Sequence, residues 1–461
     1  MTALWTMAEA VAATGGRCAV DWSASGVSID TRTLQKGDMF VALQDIRDGH
    51  DFVAQALEKG AAVAMVSHIP DGISPDAPLL IVSDPLEGLE ALATAARVRT
   101  GAQVIAVTGS VGKTGTKEML RTALATQGKT HAAEKSYNNH WGVPLTLARM
   151  PKNTDYAVIE IGMNHAGEIA PLSRLARPDV AIVTNVAAVH MAAFESVEEI
   201  AREKASVIEG LSGGAAVFNA DTETAEVLAE VAQNTQVLWF GETGSDFRLR
   251  DVIVGAFDTD VHITFLGKDR SFTLGAAGRH LAMNALAVLA AVHAIGADVE
   301  TATDALADWR PPVGRGERWV IGKINLIDDS YNANPLSVAA ALDVLAHSTG
   351  RRIAILGDML ELGPDEIALH TGISQNDNLK NIDKIHCIGP LMKHLYDTLP
   401  VDIRGEWFQT SDQLAAQIEK LLADGDVVMV KGSLGSKMGL IVDAIKNLGD
   451  ARPLNETGGT A

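Results

Sequence analysis

The chain has 461 residues, 47% of them hydrophobic, and a formal net charge of -20. That length implies about three domains with ample material for packed cores, and the acidic balance repels nucleic acid and anionic membrane, which excludes both as general partners. The first sixteen residues lack a basic residue and a long apolar run, the most apolar stretch (285–292) is too short to span a bilayer, and Cys18 and Cys387 are the only cysteines, so a cytoplasmic protein without a secretory leader, membrane segment or disulfide framework is expected.

Up to about residue 100 the chain reads as a small α/β unit, with strands at 26–29, 39–42 and 79–82 and a helix at 52–59. Ser28-Ile29-Asp30-Thr31-Arg32 and Arg47-Asp48-Gly49-His50-Asp51-Phe52 bring polar groups to the ends of these elements. Ligand contacts and turn chemistry account for such runs equally well. From 101 to 312 strands (104–107, 157–160, 180–183, 215–218) alternate with helices (113–126, 197–208), which predicts a mostly parallel sheet covered on both faces. Within 247–274, Val261-His262-Ile263-Thr264-Phe265 has period two and predicts an antiparallel excursion at the sheet edge before a helix at 281–295. Pro311-Pro312 reads as a linker. Beyond it, strands at 325–327, 352–356, 384–388 and 427–430 and helices at 336–345, 365–373, 411–422 and 436–448 predict a second doubly wound domain. The Gly/Thr-rich tail 455–461 is expected to be disordered. The expected class is α/β in three domains: a small N-terminal α/β domain (1–100), a central P-loop ATPase-like domain with a mostly parallel sheet (101–312) and a C-terminal Rossmann-like domain (313–461).

The sharpest chemical signal is Thr108-Gly109-Ser110-Val111-Gly112-Lys113-Thr114, which follows the strand at 104–107 and opens a helix. Gly109 and Gly112 let successive N–H groups turn inward. The helix dipole and Lys113 supply positive charge, and Thr114 offers a hydroxyl to a phosphate-bound magnesium. The loop is shorter than the usual pattern, whose first glycine would stand where Val107 is. Ligands of open α/β sheets gather at the carboxyl ends of strands, which singles out Glu160 and His190 as a carboxylate and an imidazole able to hold a second magnesium. On spacing alone Lys204 is a plain helix-surface lysine. His280 and Asn284 open the helix before the linker, the first as a helix cap or ligand contact and the second with the donor and acceptor pair that suits an adenine edge. Arg315 and Arg318 follow the Pro pair, where a guanidinium reaching in from another domain can neutralise a transferring phosphoryl group. Asp328 and Asp329 end a strand with acids fit for ribose hydroxyls, before an Asn-Pro helix start.

Together these residues resemble the Mur ligase family of peptidoglycan synthesis, from Ser28 to about Met438. The phosphate loop, Glu160-Ile161-Gly162-Met163-Asn164, Asn185-Val186-Ala187-Ala188-Val189-His190 and Asn332-Ala333-Asn334-Pro335 are similar to motifs shared by several Mur ligases. Tyr137-Asn138-Asn139-His140-Trp141-Gly142-Val143-Pro144 and Leu356-Gly357-Asp358-Met359-Leu360-Glu361-Leu362-Gly363 resemble its MurF subtype. The resemblance implies ATP-dependent amide formation in which D-alanyl-D-alanine is added to UDP-N-acetylmuramoyl-tripeptide, by a monomer that uses ATP and two magnesium ions and binds neither nucleic acid nor membrane. It implies that Thr108, Gly109, Ser110, Val111 and Gly112 cradle the phosphates, with Lys113 on the β- and γ-phosphates and Arg315 on the γ-phosphate. It gives Thr114 one magnesium, Glu160 and His190 a second, and makes Lys204 a carbamylated lysine beside them. Catalysis would rest on Lys113, Lys204, His190 and Arg315. Asn284, Asp329 and Asn332 would lie near adenine and ribose, and Ser28, Asp30, Arg47, His50, Asn138 and Asn139 near the UDP-linked substrate. Two departures stand out: Leu434 where an arginine is expected after Lys431-Gly432-Ser433, and a missing glycine in 43–47. The rival readings are another ligase of the superfamily, of the MurE type or a folylpolyglutamate synthase, and a regulatory ATPase that ligates nothing.

Overall fold

A computed structural model describes residues 3–189, 191 and 193–454. His190 and the tail 455–461 therefore lie outside the described residues. The N-terminal unit carries four parallel strands, Gly26–Ser28, Asp38–Val41, Val63–Val66 and Leu79–Ile81, paired in sequence order. The two inner strands are buried at every position, as a parallel sheet covered on both faces requires. The strand Val63–Val66 and the long helix Pro85–Val98 are additions to the sequence expectation. That helix starts where Asp84 accepts from the N–H groups of Leu86 (2.7 Å) and Glu87 (3.0 Å), with proline in its first turn. A short antiparallel pair, Trp5–Thr6 with Ser23–Ala24, precedes the sheet. The unit is pinned to the central one by Trp5 Nε1, which donates to Ala148 O at 2.8 Å, and by Arg149 Nε, which donates to Val27 O at 2.6 Å.

The central unit is a nine-stranded sheet. From its antiparallel edge the order is Lys268–Leu274, Thr259–Phe265, Phe247–Val254, Gln236–Gly241, Ala215–Asn219, Val180–Val183, Gln103–Thr108, Tyr156–Glu160 and Thr130–Ala132. Strands 236–241 through 130–132 are parallel, and the edge strands 247–274 form the expected antiparallel excursion. Gln103–Thr108 sends Ile105 and Val107 into one core and Val104 and Ala106 into the other, the alternation a strand between two helical layers must show. The helix Arg279–Ala294 fills the first core and is fully buried from Ala285 to Val292. Leu286→Ala, at 0% exposure, should cost about 2–5 kcal/mol. Ile253→Val, at 56% exposure on the hairpin, should stay within about 0.5 kcal/mol. Comparing the two thermal unfolding curves checks this core assignment.

The helix expected at 197–208 is α-helical over Val197–Ala205 and tightens to a 3-10 helix over Ser206–Gly210. The C-terminal unit is a seven-stranded sheet in the order Arg404–Phe408, Lys384–Ile388, Arg351–Gly357, Asp426–Lys431, Ile324–Asp329, Glu317–Ile321 and Ala451–Pro453, with the first five parallel and Glu317–Ile321 antiparallel to both of its neighbours. The helix expected at 411–422 is interrupted, running Ser411–Ala415 and then Ile418–Leu421. Both cysteines are free: burial pushes the Cys387 thiol up to about 12, and partial burial raises that of Cys18. Among the described residues no helix is long and apolar enough to cross a membrane.

Candidate active site

The register of the central sheet assembles the phosphate-loop residues. Val107 lies level with Glu160 on one neighbouring strand, and Thr108 with Val183 on the other, so Glu160, Thr184 and Asn185 flank the loop at the point where the strand order reverses. Gly109 has φ +147° and Gly112 φ +84°. A Cβ on Gly109 would meet Thr184 Oγ1 at 2.0 Å, and one on Gly112 would meet Asn284 Oδ1 at 2.6 Å. Both positions therefore require glycine for close approach as well as for conformation. Thr184 Oγ1 donates to Val111 O at 2.6 Å, and Ser110 N donates to Asn185 O at 2.9 Å, which fixes the loop from outside. The helix Lys113–Ala125 begins with no side-chain cap, which leaves its first N–H groups for an anion. Lys113 folds back to donate to Gly109 O at 2.6 Å.

Glu160, 2% exposed, accepts from Thr114 Oγ1 at 3.0 and 3.2 Å and from Asn138 Nδ2 at 2.8 Å. Ser136 Oγ lies 3.1 Å from Thr114 Oγ1, and Arg315 Nη2 donates to it at 3.1 Å. Asn185 Oδ1 is buried in the same wall with no hydrogen-bond partner among the described residues. These are hard oxygens, suited to magnesium. Among the described residues no three His, Cys, Asp or Glu side chains cluster as a metal cage.

The opposite wall comes from the C-terminal unit. Strand register sets Asp329 beside Lys431, whose Nζ donates to Asp329 Oδ2 at 2.7 Å and to Asn332 O at 2.9 Å. Burial raises the Asp329 carboxyl above the usual range, against the pull of Lys431 and Arg315. The guanidinium of Arg315 stacks over the Tyr331 ring at 4.0 Å. Lys113, Thr114, Asn138, Glu160, Asn284, Arg315, Asp329 and Asn332 all line one cleft of about 490 Å³ between the two units. A second, more apolar cavity of about 420 Å³ adjoins it, sharing His280, Arg315 and Asp329 and adding Ala276, Ala277, Arg318 and Val344. His280 makes no cap for its helix; it faces both cavities, where desolvation and the Lys431 charge lower its pKa to about 4 and keep it neutral.

Lys204 is not the surface lysine its spacing suggests. It is 2% exposed, and its pKa is lowered well below the usual value, first by burial and then by the charge of Lys113, with Glu203 opposing. Burial likewise lowers the pKa of Lys113, with Glu160 opposing and Arg315 adding to the effect.

The N-terminal candidates lie away from this cleft. Ser28, 1% exposed, donates to Asp30 O at 3.1 Å, and Asp30 pairs with Arg32 at 2.7 Å. Both ring nitrogens of His50 are engaged, Nδ1 with Asp48 at 2.7 Å and Nε2 as acceptor from Ser67 N at 3.0 Å, so the ring shapes its loop. Arg47 is exposed, 5.7 Å from the Phe52 ring centroid. Asn139 accepts from Gly142 N at 2.9 Å, leaving Asn138 as the member of the pair that reaches the cleft. Sequence reasoning missed Ser136, Tyr331 and the fully buried Lys117, whose Nζ donates to Ala133 O at 2.7 Å and pairs with Glu118 at 2.8 Å. Ser136 stands two residues before Asn138, immediately ahead of the run 137–144 already marked for its asparagines.

Comparison with known proteins bears on this arrangement. The family described as Mur ligase middle domain matches residues 107–292, and that described as Mur ligase, glutamate ligase domain matches 314–434. A UDP-N-acetylmuramoyl-tripeptide--D-alanyl-D-alanine ligase from Rickettsia prowazekii is 32% identical, over 90% of this chain and 94% of its own. Its counterpart from Escherichia coli is 35% identical, over 93% and 95%. The crystal structure of MurF from Acinetobacter baumannii superposes with a TM-score of 0.85 at 28% identity, over 96% of this chain and 99% of its own.

Proposed function

The chain belongs to the Mur ligase family and is an ATP-dependent ligase of the MurF type, adding D-alanyl-D-alanine to UDP-N-acetylmuramoyl-tripeptide in peptidoglycan synthesis; from that premise we propose how its residues divide the reaction. The observation that supports the division is the convergence of Lys113, Thr114 and Glu160 from the central sheet with Arg315 and Asp329 from the C-terminal sheet on one cleft.

In the first step a carboxylate oxygen of the tripeptide attacks the γ-phosphorus, the bond to the β-phosphate oxygen breaks, and ADP leaves an acyl phosphate. In the second the amine of D-alanyl-D-alanine adds to the acyl carbon, and the tetrahedral intermediate collapses with loss of phosphate and a proton. Activation is required because a carboxylate is a poor electrophile and oxide a poor leaving group. The loop N–H groups and Lys113 hold the β- and γ-phosphates, and Arg315 meets the charge that develops on the transferring group. Thr114 and Glu160 are the oxygens that would hold magnesium, with His190, outside the described residues, as a further ligand. Magnesium, when bound, supplies charge neutralisation at the phosphoryl oxygens. Lys204 is read as carbamylated: an amine 2% exposed, with Lys113 as its strongest charged influence, is poorly accommodated as a cation. Asn284, Asp329 and Asn332 are assigned to adenine and ribose, for which the adjoining apolar cavity leaves room. Residues 1–100, with Ser28, Asp30, Arg47 and His50, are assigned to the UDP-sugar, 101–312 to ATP and 313–461 to the dipeptide, in a monomer of the cytoplasm.

Phosphate release by the purified chain tests the reading. Release should require ATP and UDP-N-acetylmuramoyl-tripeptide and rise steeply on addition of D-alanyl-D-alanine, with a dipeptide-extended product by mass. Phosphate release indifferent to the dipeptide would overturn it.

A further inference from the structure

Ser136 is where the two walls of the cleft touch. Arg315 Nη2 donates to Ser136 Oγ at 3.1 Å, Ser136 Oγ lies 3.1 Å from Thr114 Oγ1, and Thr114 Oγ1 lies 3.0 and 3.2 Å from the Glu160 carboxylate oxygens. The direction of this chain is forced from both ends. A guanidinium only donates and a carboxylate only accepts, while each hydroxyl has a single proton. Thr114 gives its proton to Glu160, so Ser136 must give its own to Thr114 and receive from Arg315. The run therefore has a cation at one end and an anion at the other, with every hydroxyl proton placed.

The two ends are carried by different bodies. Ser136 is fixed to the central unit, because Lys117 Nζ donates to Ala133 O at 2.7 Å and to Lys135 O at 3.4 Å, and Asn138 two residues on donates to Glu160. Arg315 is fixed to the C-terminal unit: Gly316 N donates to Asp328 O at 2.8 Å, Tyr331 N donates to Gly314 O at 2.9 Å, and its guanidinium rests on the Tyr331 ring. We propose that Ser136 is a positioning residue that holds Arg315 over the phosphate loop and so joins the phosphate-binding end of the central unit to the C-terminal unit. Its effect passes through Arg315, whose side chain would otherwise be free to swing on its Tyr331 stack. The inference rests on the assignment of Arg315 to the transferring phosphoryl group.

The test compares Ser136→Ala, Ser136→Thr, Arg315→Ala and the double variant Ser136→Ala/Arg315→Ala. Two readouts are used: kcat and KM for ATP from dipeptide-dependent phosphate release, and calorimetric affinity for the imido analogue of ATP. Ser136→Ala is expected to lower kcat roughly tenfold, the scale of a hydrogen bond to a charged group, and to weaken analogue binding. Ser136→Thr, which keeps the hydroxyl, restores both. The double variant is expected to lose no more than Arg315→Ala alone, since a residue acting only through another is non-additive with it. Multiplicative losses in the double variant would overturn the proposal, as would wild-type kcat and affinity in Ser136→Ala, or failure of threonine to rescue. Arg315→Ala at wild-type rate would overturn instead the assignment of Arg315, while dipeptide-dependent release by the unaltered chain tests the ligase reading separately.

Discussion

Lys113→Ala is expected to lose about 100-fold or more in kcat, the scale of removing one electrostatic group aimed at a reacting centre, while melting at the temperature of the unaltered chain. The expectation of an intact fold comes from what the side chain touches. Among the described residues its ammonium donates only to Gly109 O, within its own loop, and it faces the cleft. Lys117, four residues on, is the contrast: fully buried, it bonds the carbonyls of Ala133 and Lys135 and pairs with Glu118, so its loss would damage the fold. The charge of Lys113 is held down by burial and by Arg315, with Glu160 opposing, and an arriving triphosphate adds further counter-charge. Phosphate release at saturating ATP, beside a melting curve, decides the matter. More than about a tenth of the wild-type rate, well above the roughly 10²-fold loss expected, would tell against the loop assignment.

Lys204→Ala is expected to be nearly inactive and to recover part of its activity in acetate, which can fill the vacated space with a carboxylate. An amine adds CO₂ only when neutral, and an ordinary lysine with a pKa of about 10.4 is rarely so at pH 7. Burial and the charge of Lys113 lower that of Lys204. The neutral fraction at a given pH near neutrality is therefore larger than for a solvated lysine, and it grows as pH rises toward the lowered pKa. Once formed, the carbamate turns a cation repelled by Lys113 into an anion attracted to it. Arg202 is the control, since it is exposed, pairs with Glu230 at 3.1 Å and forms no carbamate. Arg202→Ala should show no response to acetate. Labelled bicarbonate should give a carbamate carbon signal in the unaltered chain that Lys204→Ala lacks. An active Lys204→Ala variant with no such signal in the unaltered chain would sink the idea.

The phosphate loop was legible because its signals are local: a strand of four apolar residues, two glycines and a helix start lie within one short run, and the helix begins at Lys113 as expected. The antiparallel excursion was legible for the same reason, from the period-two run at 261–265. The strand Glu317–Ile321 was not: it forms a tight hairpin with Ile324–Asp329 and pairs on its other edge with Ala451–Pro453, but only Ile321 of its five residues is fully buried, so no apolar alternation marks it. Helix Pro85–Val98 is a different failure, because its signals were present in Asp84-Pro85 and in the buried spacing of Leu89, Leu92, Ala93 and Ala96. Lys204 was unreadable from spacing because its helix is rich in Glu and Arg; only packing shows that one of its charges faces inward. Ser136 carries no signal as a residue type, and its meaning arises from the approach of Arg315 from another unit. His50 shows what packing adds to a polar loop: both ring nitrogens have partners, Asp48 and Ser67, that the sequence does not announce.

The two native sulfhydryls have a practical consequence for measuring the distance between the two lobes. Cys387 is sealed in the core with its thiol pushed up to about 12, and Cys18 is raised by partial burial and accepts from Trp22 Nε1 at 3.4 Å. Electrophilic dyes react with thiolate, so near neutral pH Cys387 is closed to them and Cys18 reacts more slowly than an exposed cysteine. A cysteine placed on the outer face of each lobe would therefore take the label first. Energy transfer between two such dyes could then report whether the cleft opens and closes in solution, one molecule at a time.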